Sequence, residues 1–237
     1  MDPAVVSLDG LARGDNDAQE FSLNSLPLPI THKDFNIGIR TLAASRERGE
    51  PLDSVQARTA GRLVFEQFES MLYSGLTQKF RGLSIYGLTN HPNRNTGSYS
   101  AANWLTATGA QMLADVKAGF QALEADGFYG PFWMDIPTGY GIELMDDFKA
   151  ASDKTILQRL NEIEGLSRIT VVDQMPANEI VIYQPTSDVV QWAVGEEVQT
   201  VQWDVYGGMQ VAFKVLGIQV PIVKATASGD SGIYHLT

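Results

Sequence analysis

The sequence contains no cysteine, and that absence removes disulfides, thiolate zinc sites and cysteine nucleophiles together. Any covalent staple must use other chemistry. Basic residues are scarce: 17 Lys and Arg stand against 28 Asp and Glu, a formal net charge of -11 with a pI near 4.6. Phosphate neutralisation is therefore not a general property of this surface, and tight sequence-independent DNA binding is not expected. Arg40, Arg46 and Arg48 lie close together, but Glu47 and Glu50 interleave with them, so they read as a solvated helix face.

Long hydrophobic runs are missing as well. The most apolar late stretch, residues 215–223, is interrupted by Gln219 and Pro221 and is far shorter than the ~20 residues of a spanning helix. Met1-Asp2-Pro3-Ala4 has no basic region followed by an apolar run, so no secretory signal is expected and the chain reads as soluble. Histidines number only three, His32, His91 and His235, with no His-x-x-x-His pair. A metal site would have to assemble through the fold, and each histidine reads as an ordinary surface or capping residue. No metal and no cofactor are expected.

What is present is a chain of 237 residues, 44% hydrophobic, enough for one large domain or two small ones. Residues 4–8 are β-prone, Arg13-Gly14-Asp15-Asn16-Asp17 is turn-rich and residues 21–30 are extended again, the pattern of a hairpin. A two-stranded ribbon is marginal alone in water, so the rest of the chain or a neighbouring subunit must hold it. A short helix is expected over 41–48, closed by Gly49. Asp53 with Gln56 then resembles a capping box opening a long helix of roughly 30 Å, with Ala60, Val64, Phe68 and Met71 or Leu72 at helical spacing, Leu63 beside them, and Gly75 as the stop.

Residues 86–93 are rich in Gly, Asn and Pro and must be largely loop. Thr108 and Gln111 form a second capping-box pattern, followed by Met112, Val116, Phe120 and Leu123 on one face and Gly127 at the end. A buried strand over 132–136, a short helix around 142–148, a helical stretch over 155–163 and a strand over 169–172 follow. Strands are then expected at 180–183, 189–194, 198–205 and 209–215. The fold class is α+β, with no alternating βαβ series and no repeat of solenoid period.

Several motifs suggest chemistry but lack their partners. Gly229-Asp230-Ser231-Gly232 matches the local nucleophile sequence of trypsin-like proteases, yet too few residues follow Ser231 and no histidine sits in the base motif, so a flexible polar C-terminal tail is expected. Asp15-Asn16-Asp17 could begin a calcium loop, but Glu20 arrives too early and the turn glycine is absent. Glu143, Asp146 and Asp147 could pair for acid–base work, but nothing nearby would perturb a pKa. Thr138-Gly139-Tyr140-Gly141 lacks the third glycine or the Lys-Ser/Thr of phosphate loops and reads as a tight strand-to-helix turn. Trp104, Trp133, Trp192 and Trp203 fall in apolar runs without basic neighbours, which favours core or interface packing over base stacking. No catalytic residue is assigned.

The stretch from Leu26-Pro27-Leu28-Pro29-Ile30-Thr31-His32-Lys33-Asp34-Phe35 through Arg46-Glu47-Arg48-Gly49 to Pro51-Leu52-Asp53 resembles the encapsulin-like branch of the major capsid proteins of tailed bacteriophages, which have the HK97-type fold. Gly87-Leu88-Thr89-Asn90-His91-Pro92 is similar to that family's loop after its spine helix, Gly130-Pro131-Phe132 to the strand opening its apical part, and residues 188–223 to its β-rich end. The resemblance implies an extended loop (E-loop) hairpin at 1–30, a peripheral domain part with the spine helix at 31–100, an apical domain at 101–187, and a β-rich return to the peripheral domain with the C-terminal tail at 188–237. The family places an arm before the extended loop, whereas Met1 stands almost at the hairpin's first strand, so a processed, shortened or compact form without arm contacts is expected.

By the same resemblance the protein is structural rather than an enzyme. It would self-assemble as pentamers and hexamers of an icosahedral virion shell, built in the host cytoplasm and enclosing double-stranded DNA without sequence-specific binding. Decoration, portal or scaffolding proteins would be further partners. Cellular encapsulins use the same fold around a cargo enzyme, so an encapsulin shell stands as the alternative and a serine hydrolase using Ser231 as a distant one. Some capsids of this fold join a loop lysine to an asparagine. No lysine precedes Lys33, so shells without covalent links at the hairpin tip are expected. Like-charged subunits repel, so salt should favour assembly unless acidic surfaces are paired locally across interfaces.

Overall fold

The computed structural model describes residues 25–49, 52–150 and 153–237. The expected hairpin strands before residue 25, and the Asp15-Asn16-Asp17 tip, lie outside the described residues; residues 25–30 take no regular structure. The elements run β1 (Thr31–Gly38), α1 (Ile39–Glu47), α2 (Leu52–Ser74), β2 (Leu76–Phe80), β3 (Leu83–Ile85), β4 (Asn95–Gly97), α3 (Gly109–Ala125), β5 (Phe132–Pro137), α4 (Thr138–Glu143), α5 (Ile156–Asn161), β6 (Leu166–Val172), β7 (Ile180–Tyr183), β8 (Val190–Val205), β9 (Gln210–Val223) and β10 (Ile233–Leu236). The expected α+β class holds.

Two sheets organise the chain. The first is antiparallel, in the order β1-β9-β8, with Thr31 opposite Gly217 and Gly38 opposite Gln210. Helix α2 packs on it because Ala60, Val64, Phe68 and Met71 recur on one face and are buried with Val215 and Val220 of β9. Val64, Phe68 and Met71 each contribute roughly 1.5–3 kcal/mol on burial. Leu63, placed beside that stripe by the spacing, instead faces solvent. The helix starts at Leu52, one residue before the anticipated cap. Asp53 therefore sits inside the first turn, where it accepts a 2.9 Å bond from Arg46 Nη2 instead of closing a box with Gln56. Gly75 ends the helix at φ +63°, and a Cβ there would lie 2.4 Å from the Ile85 carbonyl, so only glycine fits.

The second sheet has five strands in the order β4-β10-β7-β5-β6, with β4 parallel to β10, β5 parallel to β6, and the other neighbours antiparallel. Helix α3 covers it. The Thr108–Gln111 capping box forms as predicted, and Met112, Val116, Phe120 and Leu123 are buried in the same cluster as Ile182, Tyr234 and Leu236. Gly119 lets this helix approach β10 closely: a Cβ there would meet Tyr234 Cδ1 at 2.8 Å.

Three local expectations are corrected, and one hairpin was not expected. The short helix over 142–148 forms earlier, as α4, which absorbs Thr138-Gly139-Tyr140-Gly141 into its turns instead of leaving it as a strand-to-helix turn. The strands over 189–194 and 198–205 are one strand, β8, with register shifts around Glu196 where two were expected. The β2–β3 hairpin after the spine went unforeseen. The expected flexible tail is instead β10, an interior strand between β4 and β7 with every residue buried.

Candidate functional site

Ser231 is inaccessible at 0% exposure, and its Oγ has no hydrogen-bond partner. No acyl substrate reaches it and no histidine activates it, so the geometry of a serine nucleophile is absent. The closest histidine in sequence, His235, is only 3% exposed and belongs to a different cluster. Arg94 Nε donates to His235 Nδ1 at 3.0 Å, and His235 Nε2 lies 3.0 Å from Glu179 Oε2. Because Nδ1 accepts from arginine, the ring carries its proton on Nε2 and donates it to the carboxylate. Burial first, and Arg94 second, push the imidazole down to about 4. Burial likewise raises Glu179, and it lowers His91, which is also buried. Of the three histidines expected at the surface or as caps, His32 is at the surface, His91 is buried with its Nδ1 accepting the Asn93 amide at 3.3 Å, and His235 is interior and bonded to Glu179. Arg94 ties His91 to His235, donating also to the His91 carbonyl at 2.9 Å.

Glu143, Asp146 and Asp147 border a depression of about 440 Å³ beside the start of α3, with Lys149 and Phe148. No group of metal-ligating side chains occurs among the described residues. The tryptophans divide. Trp104 is fully buried and donates to Asp115 Oδ2 at 2.9 Å; Trp192 packs edge-on against Phe68; Trp203 is exposed near the end of β8. Trp133 does have a basic neighbour, contrary to expectation, since Arg168 stacks over it at 4.9 Å.

Two buried carboxylates were missed. Asp115 accepts from Trp104, from the Ser100 amide at 2.9 Å and from the Ser100 hydroxyl. Asp135 accepts from the Tyr73 hydroxyl at 2.8 Å, and burial raises its pKa against the opposing bonds from Tyr73, Tyr183 and Thr170. A signal existed for both: an acid at a core position of the α3 stripe, and an acid in the middle of Phe-Trp-Met-Asp-Ile. These clusters are structural, since each carboxylate is satisfied by donors and shielded from solvent.

The features open to a partner are apolar and exposed. Tyr206, at 82% exposure, and Met209 stand at the β8–β9 turn, Val55 and Phe65 on the outer face of α2, and Tyr129, Ile142 and Met145 around the five-stranded sheet. Tyr206 holds a left-handed φ of +54° followed by Gly207 and Gly208, both also positive, which aims the ring outward from a tight turn.

Residues 1–236 match the family described as "Family of unknown function (DUF6260)". The chain belongs to that family. No curated protein matches the sequence. Among solved structures, this member of the family is similar to the virus-like particle from Pyrococcus furiosus, with TM-score 0.68 and 23% identity over 90% of this chain and 78% of the other. It is similar also to the capsid of Myoviridae phage XM1, with TM-score 0.74 and 13% identity over 90% and 74% of the two chains. The satellite phage P4 procapsid, solved with its size determination (Sid) protein, matches at TM-score 0.58 and 12% identity over 99% and 84%. The chain thus has the HK97-type fold, as the sequence resemblance implied.

Proposed function

We propose that this chain is a major capsid protein whose copies assemble, as pentamers and hexamers, into an icosahedral virion shell around double-stranded DNA. The observation that carries the reading is a fold held in common with capsid and virus-like-particle chains over about nine-tenths of its length. In this scheme α1, α2 and the β1-β9-β8 sheet are the peripheral domain. The five-stranded sheet with α3 is the apical domain, which takes in β4 and β10 from the stretches 31–100 and 188–237 that the sequence assigned to the peripheral part, and residues 1–30 are the extended loop. Assembly would take place in the host cytoplasm, with portal, decoration or scaffolding proteins as accessory partners.

An encapsulin shell is the second reading, favoured by the likeness to the Pyrococcus particle. Nuclease-treated particles separate the two: protected double-stranded DNA of uniform length supports the capsid, and particles filled with a co-purifying enzyme support the encapsulin. Chains that sediment only as monomers contradict both.

A further inference from the structure

The chain is strongly acidic, yet one segment is locally basic. Residues 39–62 carry Arg40, Arg46, Arg48, Arg58 and Arg62 against only Glu47, Glu50 and Asp53. Arg46 is paired with Asp53 and Arg62 with Glu66. Arg40, Arg48 and Arg58 are exposed and have no carboxylate partner among the described residues. Arg48 lines a groove of about 570 Å³ between α1 and the start of α2, together with Thr41, Ala44, Ser45, Leu52 and Val55, and Arg58 follows Val55 by three residues on α2. The groove thus combines apolar side chains with the guanidinium of Arg48.

The opposite pattern lies on β8. Residues 194–204 hold three carboxylates, Glu196, Glu197 and Asp204, and no Lys or Arg. Asp204 already borders its own α1, beside Ile39 and Arg46. Glu196 and Glu197 remain exposed and without a cation among the described residues, flanked by exposed Val194 and Val201. They sit where the β8–β9 register shifts, a bulge that disrupts the strand's free edge. A bulged, charged edge blocks pairing with another strand, so anything meeting it must do so through side chains.

We propose that the acidic bulge of β8 docks into the α1–α2 groove of a second copy, Glu196 and Glu197 facing Arg48 and Arg58 while Val194 and Val201 meet Leu52 and Val55. The placement of the two patches suits such a contact. Strand β8 forms one edge of the β1-β9-β8 sheet, and α1 follows β1 at the other edge and packs against it. Two unlike patches on one chain make a heterologous interface, the kind that closes into rings. Charge complementarity of this type fixes register and selects the partner. The inference rests on the self-assembly reading above and specifies which surfaces carry it.

Charge exchange tests it. Arg48→Glu with Arg58→Glu reverses the groove, and Glu196→Arg with Glu197→Arg reverses the bulge; all four sites are exposed, and melting curves of the unassembled chains confirm folding. Each reversed pair should lower the sedimenting, assembled fraction by about tenfold or more. Combining all four substitutions in one chain should restore it, and a 1:1 mixture of the two reversed proteins should form mixed oligomers that neither forms alone. Wild-type levels of assembly in both reversed variants, or failure of both the combined chain and the mixture to recover, overturns the contact. So does a loss confined to the groove variant, which assigns the groove to another segment such as residues 1–24, or groove-variant shells deficient only in DNA, which assigns it to nucleic acid. A wild-type chain that never assembles overturns the shell reading and the contact with it, whereas wild-type shells with indifferent variants overturn the contact alone.

Discussion

The Tyr73 hydroxyl, on the last turn of α2, donates a 2.8 Å hydrogen bond to Asp135 Oδ2 in the middle of β5. It joins the helix of the three-stranded sheet to the five-stranded sheet through a carboxylate that is otherwise walled from water. Tyr73→Phe leaves that acceptor short of a donor and should lower unfolding free energy by about 1–3 kcal/mol. The loss should be larger at neutral pH than at an acid pH where Asp135 is protonated. Burial raises the Asp135 pKa, so acid favours its neutral form, which depends less on the phenol. Chemical denaturation at the two pH values measures this, and equal losses contradict it.

His235 gives a second pH dependence. Its folded pKa, about 4, lies below the ordinary value of 6.5, so the unfolded chain binds the proton more readily. The stability is fully present above pH 6.5 and is lost as pH falls toward 4, by on the order of 3 kcal/mol. His235→Gln keeps an acceptor for Arg94 and a donor for Glu179 but does not titrate. The difference between wild type and variant in denaturant midpoint should therefore change steeply between pH 6.5 and 4 and be flat above.

Two phenylalanines three residues apart on α2 should behave differently. Phe68 is buried against Trp192 and the three-stranded sheet, and Phe65 is 57% exposed. Phe68→Ala should cost about 3–5 kcal/mol, while Phe65→Ala should stay within about 0.5 kcal/mol in thermal or urea unfolding of the unassembled chain.

Ser231→Ala removes a buried hydroxyl that has no partner. It should be neutral or stabilising by up to about 1 kcal/mol. The folded wild type should also resist serine-directed probes, with labelling in mass spectrometry as the contrary result.

The helices were legible because their signals are local: a four-residue stripe on α2, a complete capping box before α3, and left-handed glycines at 75 and 127 that stop both. Pairing was not. Nothing in Thr31 through Gly38 points to Gly217 through Gln210 as its partner, because that ladder is set by the whole sheet. Gly195-Glu196-Glu197 looked like a break between strands because glycine and charge punctuate strands, whereas a bulge accommodates them without ending the ladder. Ile233-Tyr234-His235-Leu236 follows a polar Gly-Asp-Ser and has the pattern of a tail, while its burial depends on β4 and β7 arriving from far along the chain. The same dependence hid the His235 cluster, whose members come from three separate regions. The recognisable family likeness carried the fold further than periodicity could.

Electron microscopy of the purified protein at micromolar concentration tests the central claim most directly. The shell reading predicts closed particles of uniform diameter with subunits grouped in fives and sixes, and a field of monomers at every concentration contradicts it.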